Sequence, residues 1–315
     1  MKTFNFPPAA AVGNRTEHWD LPWVDLVWAA VSVGKGSLAH MHQYGRYSMF
    51  EMTYRTAIIY ANLMRSPDLS FGRSKAYIGL DPSEKGAISY FLGVALTKAF
   101  VERKLSVSWL MHVDLYRDRF GVNLAPGERP DLFGEDALGR WIVAESKGRT
   151  NQHDKDALIK AKRQASRVID VDGAPPHLSI GFVSSFNKGR LTLVADDPPI
   201  DEKGEGLSLR VSKNEFRSTY YRPFEELLAT FETRQEQIGG QEVRVVYSES
   251  SDLFLGLSQG EDGVIEQPAQ VRRRREPIRD VQRNAYLGSD GIYVRLGASW
   301  SDELMSLEPQ ERRAD

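Results

Sequence analysis

The sequence predicts an α/β fold whose core runs helix, strand, strand, strand, helix, strand. Apolar residues recur at helical spacing over 82–102 and 154–169, which predicts the two helices. Apolar runs at 107–115 and 178–186 have the length and composition of strands. The stretch 128–149 reads as two strands joined by a turn, which completes the set of four.

Composition divides the chain into three regions. Residues 1–75 hold two apolar segments near helical spacing and predict a helical N-terminal extension. Residues 76–195 hold the α/β core, and 207–315 mix a helix with several strands as an α+β C-terminal region. The stretch 196–206 is acidic and rich in Pro and Gly, which is typical of a linker, and it marks the boundary.

The first core helix starts at a clear capping signal. Asp81 is a favourable N-cap residue, and Pro82 suits the first helical position. Ile88 and Ala95 belong to one apolar face, and Glu84 falls on the same face. Two explanations stay open for Glu84. It completes a capping box with Asp81, or it adds a carboxylate to a metal site.

The hairpin at 128–149 carries the residues with the clearest chemistry. We expect Asp131 to end its first strand, and Glu145 and Lys147 lie near the end of its second. Residues two apart in a strand share a face, so Glu145 and Lys147 project together while Ser146 points away. Two carboxylates and a lysine at one end of a hairpin suit metal-dependent phosphodiester hydrolysis, in which acids hold a hard cation near the attacking water.

The second core helix carries a basic stripe beside its apolar arc, which Gln164 borders. The basic residues in and near this helix are Arg149, Lys155, Lys160, Lys162, Arg163 and Arg167. We expect this local excess of positive charge to face a phosphate backbone if the helix borders the site. Taken alone, the same charges are more typical of a solvated helix surface.

These motifs resemble the signature of the PD-(D/E)XK nuclease superfamily. The resemblance rests on Pro130-Asp131, on the following Glu145-Ser146-Lys147, on the αβββαβ order, and on Gln164 in the second helix. It covers about residues 76–190. It implies a restriction-endonuclease-like core with a mixed sheet.

The resemblance also implies roles for the hairpin residues. Asp131 and Glu145 would ligate Mg²⁺ or Mn²⁺, with the main-chain carbonyl of Ser146 as a further ligand. Lys147 would orient the attacking water or stabilise charge on the phosphate. These roles agree with the placement of Asp131, Glu145 and Lys147 together, because a bound cation relieves the repulsion between two neighbouring carboxylates.

The implied function is a metal-dependent nuclease that hydrolyses phosphodiester bonds in DNA, in restriction, repair or anti-phage defence. In such an enzyme Glu84 would add a ligand, directly or through water, and Gln164 would contact the backbone phosphate or support Lys147. Two alternatives stay open: a catalytically inactive member that binds nucleic acid or a partner protein, and a structural subunit of a larger complex. A homodimer is compatible with the nuclease, since a double-strand cut needs two active sites.

Composition limits the class of protein further. The 315 residues carry a formal net charge of −2, so nucleic-acid binding would depend on local basic patches. The absence of cysteine excludes disulfides and cysteine-bound zinc or iron–sulfur sites, and is compatible with the cytoplasm, where we expect the protein. No signal peptide is apparent, and no apolar run approaches the ~20 residues of a membrane helix, so we expect no membrane partner.

Four patterns outside the core complete the sequence predictions. His40 and His42 form a pair that lacks a third metal ligand nearby, which favours a loop and helix start over a metal site. The arginine run 272–275 suits either a nucleic-acid contact or a solvated loop. A helix is predicted over 221–236, and a hairpin with a tight turn is predicted over 284–294.

Overall fold

The structure is a computed structural model that describes residues 2–5, 15–33, 46–114, 129–151, 155–197, 206–260, 276–301 and 305. The fold is mixed α/β, and the chain forms two compact units, each built from separate stretches of sequence. The described residues of the first unit come from 1–20, 33–37 and 80–213. Those of the second unit come from 21–32, 38–79 and 214–315.

Helices and strands are numbered separately along the chain. The helices are α1 (Trp23–Ser32), α2 (Arg46–Asn62), α3 (Lys75–Gly79), α4 (Pro82–Leu105), α5 (Lys155–Ala165) and α6 (Lys213–Thr230). The strands are β1 (Lys2–Asn5), β2 (Arg15–Glu17), β3 (Leu63–Arg65), β4 (Phe71–Arg73), β5 (Val107–His112), β6 (Leu132–Asp136), β7 (Trp141–Gly148), β8 (Val168–Val171), β9 (Leu178–Asn187), β10 (Arg190–Asp196), β11 (Leu207–Leu209), β12 (Arg234–Ile238), β13 (Gln241–Ser248), β14 (Leu253–Ser258), β15 (Ile278–Asp280), β16 (Ala285–Leu287) and β17 (Ile292–Leu296).

The first unit is built on a mixed sheet, as the sequence predicts. Its described strands lie in the order β2, β1, β10, β9, β7, β6, β5. Strands β5, β6 and β7 form an antiparallel meander, whereas β7 and β9 run parallel. A parallel pair needs a long crossover connection, and the connection between β7 and β9 contains α5. The order α4, β5, β6, β7, α5, β9 is therefore present, with the short β8 inserted after α5 and paired in parallel with β11.

Helix α4 starts with the capping box that the spacing of Asp81 and Glu84 predicts. The Asp81 carboxylate accepts the main-chain N–H groups of Ser83 at 2.6 Å and Glu84 at 3.1 Å, and the Glu84 carboxylate accepts the Asp81 N–H at 3.2 Å. The helix runs a few residues past its predicted end at 102. It stops at Ser106, which takes the left-handed conformation with φ of 59°.

A glycine lets α4 approach the sheet at the end of β7. A Cβ atom on Gly148 would lie 2.1 Å from the carbonyl oxygen of Ser89 and 2.5 Å from the nitrogen of Tyr90. No side chain fits into that space, so the main chains of α4 and β7 are in direct contact there. This contact holds Ser89 and Tyr90 against the strand end that carries the predicted lysine.

Helices α4 and α5 cover opposite faces of the sheet. On β9, Phe182 packs against Phe100 of α4 with ring centroids 5.4 Å apart. A Cβ atom on the neighbouring Gly181 would lie 2.6 Å from the main-chain nitrogen of Lys162 in α5. Successive residues of a strand point to opposite faces, and Gly181 pairs with Glu145 of β7. Glu145 therefore faces the α5 side of the sheet.

The predicted hairpin forms from β6 and β7, with one correction. Asp131 does not end the first strand but immediately precedes it, because the buried Leu132 and Phe133 start β6 between two paired neighbours. The register pairs Leu132 with Ala144. Asp131 therefore still lies opposite Glu145.

The second unit combines α1 with an antiparallel sheet in the order β12, β13, β14, β17, β16, β15. Helix α1 is buried along its whole length. Its Trp28 packs edge-on against Tyr286 with ring centroids 5.2 Å apart, and its indole Nε1 donates to Asp290 Oδ1 at 3.3 Å. The early apolar segment of the sequence thus packs against the last strands of the chain.

The C-terminal predictions have mixed outcomes. The helix predicted over 221–236 is wrong at both ends, since α6 covers Lys213–Thr230 and Glu236 lies in β12. The main chain of β12 pairs with β13, and this sheet pairing overrides the helical spacing of the side chains. The hairpin predicted over 284–294 is confirmed by β16 and β17, with Gly291 at φ of 78° in its turn.

Candidate active site

The two acids of the hairpin motif are held side by side at the start of β6. The main-chain N–H of Asp131 donates to Glu145 Oε2 at 2.7 Å, and the main-chain N–H of Ser146 donates to Asp131 Oδ2 at 3.2 Å. Only 1% of the Glu145 side chain is exposed, compared with 21% for Asp131. Each carboxylate is therefore bound by the main chain beside the other acid, with Asp131 nearer to solvent.

Lys147 joins this group from the same strand. Its ammonium forms an ion pair with Glu145 Oε1, while Glu145 Oε2 accepts the Asp131 N–H. One fifth of the Lys147 side chain is exposed, so the ammonium lies between the buried acid and the surface. When all three side chains are ionised, the two acids outweigh the lysine and the group is net negative.

Burial strongly affects the protonation of both acids. Burial, and then repulsion by Asp131, raises the pKa of Glu145 to about 8, although Lys147 opposes the shift. Burial also raises the pKa of Asp131, against the opposing charges of His112 and Lys147. A divalent cation would favour the ionised form of both carboxylates, so the electrostatics of the group fit such a cation.

The donor set fits Mg²⁺ or Mn²⁺ as a partial ligand shell. Within the described ranges, no group of three or more His, Cys, Asp or Glu side chains is arranged to hold a metal ion. Mg²⁺ needs no such group, because it keeps several waters and is commonly bound through one or two carboxylates and substrate phosphates. Asp131 and Glu145 supply two carboxylates, which is the number that a protein commonly contributes when Mg²⁺ is bound in this way.

His112, which the sequence analysis did not single out, lies beside Asp131 and contacts Tyr90. His112 ends β5, and its Nε2 lies 4.0 Å from Asp131 Oδ1 and 3.2 Å from the hydroxyl oxygen of Tyr90. Its Nδ1 accepts the main-chain N–H of Asp114 at 3.3 Å. The register pairs His112 with Leu132, next to Asp131. Only that register, which the sequence does not reveal, connects the histidine with the motif.

Gln164 lies close to the segment that leads to Asp131. Its side chain is buried, and its Nε2 donates to the carbonyl oxygen of Arg129 at 3.4 Å. The structure therefore shows the amide bound to the main chain two residues before the acid. The contacts of Gln164 with a phosphate or with Lys147 stay predictions.

The predicted phosphate-binding residues differ in accessibility. Lys160 and Arg163 are exposed on α5, whereas Arg167 and Arg149 are half-buried. The Arg149 guanidinium donates to the carbonyl oxygen of its neighbour Gly148 at 3.2 Å. Lys160 and Arg163, like Lys155 at the start of α5, are thus the most accessible of the predicted basic residues.

Lys162 differs from the prediction that placed it among these surface cations. It is buried, its ammonium lies 3.0 Å from Asp197 Oδ1, and it also donates to the carbonyl oxygen of Ser179. Burial lowers the pKa of Lys162, while Asp197 opposes the shift. Its position one helical turn from Ala165 and Leu158 places it on the buried arc of α5, a signal that the sequence analysis missed.

Glu84 and Ser146 have observed contacts that differ from their predicted metal contacts. Glu84 is exposed, and its carboxylate takes part in the capping box of α4. The hydroxyl of Ser146 accepts from Thr97 on the α4 side of the sheet at 3.2 Å. A role for the Glu84 carboxylate or the Ser146 carbonyl as a metal ligand stays a prediction.

The remaining observations concern residues outside the site, the helices and the comparisons with known proteins. His40, His42 and the arginine run 272–275 lie outside the described residues. Among the helices that the structure describes, none combines the length and apolar character needed to span a membrane. No family model matches this chain, and no curated protein or solved structure matches it. Its function is therefore inferred from its own residues and their geometry.

Proposed function

We propose that this protein is a metal-dependent nuclease of the PD-(D/E)XK type that hydrolyses phosphodiester bonds in DNA. The observation that carries the proposal is the group formed by Asp131, Glu145 and Lys147. The buried Glu145 and the partly exposed Asp131, both with raised pKa values, lie beside a lysine at the accessible end of a hairpin. An ion pair between Glu145 and Lys147 that only stabilised the fold would not require the second carboxylate of Asp131 beside it.

The strand arrangement supports the same proposal. The motif lies on the second and third strands of the meander β5, β6 and β7, and β9 joins β7 in parallel after α5. This is the order in which the superfamily core carries its motif. An isolated Asp and Glu-x-Lys pattern on an unrelated α/β domain would have no reason to occupy these strands.

The residues of the group have separate roles in the proposed reaction. Asp131 and Glu145 would hold a divalent cation, which would supply Lewis-acid activation of water and neutralise charge on the phosphate. Glu145 accepts a hydrogen bond from the Lys147 ammonium and so fixes the position of that ammonium beside the two acids. The ammonium then stabilises the negative charge that develops on the phosphate, or holds the attacking water.

Substrate docking is assigned to the basic residues of α5. Lys160 and Arg163 are exposed, and α5 packs on the face of the sheet to which Glu145 points. Contacts of this kind position a nucleic-acid backbone without reading its sequence. They also make binding weaker as the salt concentration rises.

The test is cleavage of plasmid and single-stranded DNA with Mg²⁺ or Mn²⁺. We expect metal-dependent cutting by the wild-type protein, and a loss of at least about a hundredfold in Lys147→Ala and Asp131→Asn, because each removes a group from the reaction centre. The asparagine retains an acceptor for the Ser146 N–H, which protects the fold. Exposed Lys75 and Asp156 provide the matched controls Lys75→Ala and Asp156→Asn, which should cut normally.

Either of two results would reject the proposal. Equal cutting by wild type and both site variants would show that the activity belongs to a contaminant. DNA binding without cutting under either metal would identify the chain as a non-catalytic member of the superfamily.

A further inference from the structure

Arg129 is held directly before the acid pair by main-chain hydrogen bonds. Its carbonyl oxygen accepts from Gln164 Nε2 at 3.4 Å. Two residues later, the Asp131 carbonyl oxygen accepts the N–H of Val113 at 2.8 Å, which extends the pairing of β5 with β6 by one step. The main chain of Arg129 therefore has a fixed place beside Asp131.

The side chain of Arg129 has an ionic partner just beyond the end of β5. Its Nη1 lies 3.3 Å from Asp114 Oδ1. Among the described residues, this ion pair is the only polar contact of the guanidinium. A guanidinium carries five N–H groups in one plane, so most of these donors can still bind a ligand.

A second arginine of the same hairpin forms a different kind of ion pair. Arg140 Nε and Nη2 lie 2.8 and 2.7 Å from Asp136 Oδ2, and the buried Asp136 also accepts the main-chain N–H groups of Leu138 and Arg140. Asp114, in contrast, is 43% exposed and meets Arg129 through a single nitrogen. An exposed ion pair of this kind adds little to stability, so the fold alone does not account for Arg129.

Arg129 reaches the surface to about the same extent as the residues of the motif. Its side chain is 16% exposed, compared with 21% for Asp131 and 20% for Lys147. Burial is the main cause that raises the pKa of Asp131, and the charge of Asp114 adds to it, so this ion pair lies within electrostatic range of the acid. A phosphate that approaches the carboxylates is repelled, and the permanent positive charge of Arg129 offsets part of that repulsion.

The other nearby cations have closer partners. Lys147 is paired with Glu145, and the Arg149 guanidinium donates to the carbonyl oxygen of Gly148. A planar guanidinium can donate two parallel hydrogen bonds to two phosphate oxygens, which an ammonium cannot do. Arg129 thus supplies this geometry on the Asp131 side of the site.

We propose that Arg129 is a substrate-binding residue whose guanidinium donates to the oxygens of a backbone phosphate of nucleic acid beside Asp131. The inference rests on the proposed nuclease function and specifies how its substrate is held. Arg129 is outside the acid–acid–lysine motif and outside the basic residues of α5.

The experiment measures binding of a fluorescent oligonucleotide with Mn²⁺ in a Lys147→Ala background, over a series of KCl concentrations. Arg129→Ala should weaken binding about tenfold to a hundredfold, which is the range for hydrogen bonds to a charged group. It should also lower the slope of log affinity against log salt by about one, because one phosphate contact is lost. Arg210→Ala is the matched control, since Arg210 Nη1 also lies 3.3 Å from an aspartate, Asp170, and it should change neither quantity.

Two further substitutions at Arg129 separate charge from geometry. Arg129→Lys retains the charge and should keep the salt slope while losing part of the affinity, because the planar pair of donors is gone. Arg129→Gln removes the charge from a side chain of similar length and should lower the slope as Arg129→Ala does. It provides the test if thermal unfolding shows that Arg129→Ala is unstable. In the Lys147 parent, KM should rise by a larger factor than kcat falls.

Asp114→Asn tests whether Arg129 acts only through its ion pair. This substitution breaks the ion pair but leaves the guanidinium in place, so affinity should stay within about threefold of the parent. An equal loss of affinity in Asp114→Asn and Arg129→Ala, with the salt slope unchanged in both, would show a purely structural role and overturn the inference.

The remaining outcomes distinguish this inference from the proposed function. Wild-type cutting, together with parental affinity and salt slope in Arg129→Ala or Arg129→Gln, would overturn the phosphate contact and leave the nuclease intact. A wild-type protein that neither binds nor cuts DNA would overturn the proposed function and this inference with it.

Discussion

Glu145 in the first unit and Glu236 in the second are both largely buried glutamates with basic partners, yet their surroundings differ. Glu236 accepts two bonds from Arg295, at 3.0 and 2.6 Å, one from Arg283 at 3.1 Å, and one from the hydroxyl of Tyr293 at 2.7 Å. Glu145 has one lysine, and a second acid lies beside it. Glu236 therefore has two arginine partners for its single negative charge, whereas Glu145 and Asp131 together have one lysine.

The pKa values of the two glutamates shift in opposite directions for this reason. Burial acts to raise the pKa of Glu236, but hydrogen bonds from Arg295 and Tyr293 and the charges of the arginines lower it. Burial and Asp131 raise the pKa of Glu145 to about 8. A buried acid with enough cations around it has a structural role, whereas a buried acid that lacks them is suited to bind a cation from solution.

The largest difference between the two glutamates is expected in catalysis. Under the proposed nuclease function, Glu145→Gln removes a charge that would bind the metal and should lower DNA cleavage by at least about a hundredfold, whereas Glu236→Gln should leave cleavage unchanged. Initial rates at saturating Mn²⁺ provide the measurement. Thermal unfolding of both variants serves as the control for folding. A comparable loss in Glu236→Gln, with its fold intact, would contradict the distinction.

The pH dependence of stability should have opposite signs at the two positions. Between pH 4.5 and 8 the folded state retains a proton on Glu145 that the unfolded state has released, so the free energy of unfolding falls as pH rises, by up to about 1.4 kcal/mol per pH unit. The pKa of Glu236 is lowered, so its contribution is complete above pH 4.5 and is lost as pH falls below that value.

Urea unfolding in EDTA from pH 3.5 to 8.5 measures both effects. Relative to wild type, Glu145→Gln should gain stability as pH rises towards 8. Glu236→Gln should be less stable at pH 7, and this deficit should shrink in acid. Curves for the two variants that run parallel to the wild-type curve would show that neither glutamate titrates as its surroundings indicate.

The smallest effect is expected at a third glutamate, Glu84, which is exposed and caps α4. Glu84→Gln retains an acceptor for the Asp81 N–H, so both stability and cleavage should change little, with a rate within about threefold of wild type. Cleavage rates across an Mn²⁺ titration provide the measurement. A large rise in the Mn²⁺ concentration needed for half-maximal cleavage would instead support the predicted role of Glu84 as a ligand.

Local signals allowed the sequence to predict much of the first unit. The cap at Asp81, the apolar strand before Glu145 and the helical spacing around Gln164 all lie within a few residues of the structure they specify. The grouping of Asp131 with Glu145 was predicted, but their register was not, because a first strand that ended at Asp131 would place this residue beside the turn. The placement of Asp131 just before β6, opposite Glu145, needed the structure.

Contacts between distant parts of the chain were not predictable in this way. His112 reaches Asp131 through the register of β5, and Lys162 reaches Asp197 across 35 positions. The packing of Trp28 near Asp290 spans 262 positions, so no local pattern could join the early helix with the last strands. Propensity acts over a few residues, whereas these pairings depend on the complete fold.

The main-chain hydrogen bonds that the Asp131 and Glu145 carboxylates accept also determine when these two side chains become ordered. Both side chains are immobilised by contacts that form as β6 pairs with β7. The rotamer entropy of a glutamate, about 1.5–2 kcal/mol, is therefore lost on folding rather than on binding. An arriving cation would meet a preorganised pair, and below pH 8 its capture would also require release of the proton that Glu145 retains. Pairing of these two strands and readiness of the site are thus a single event.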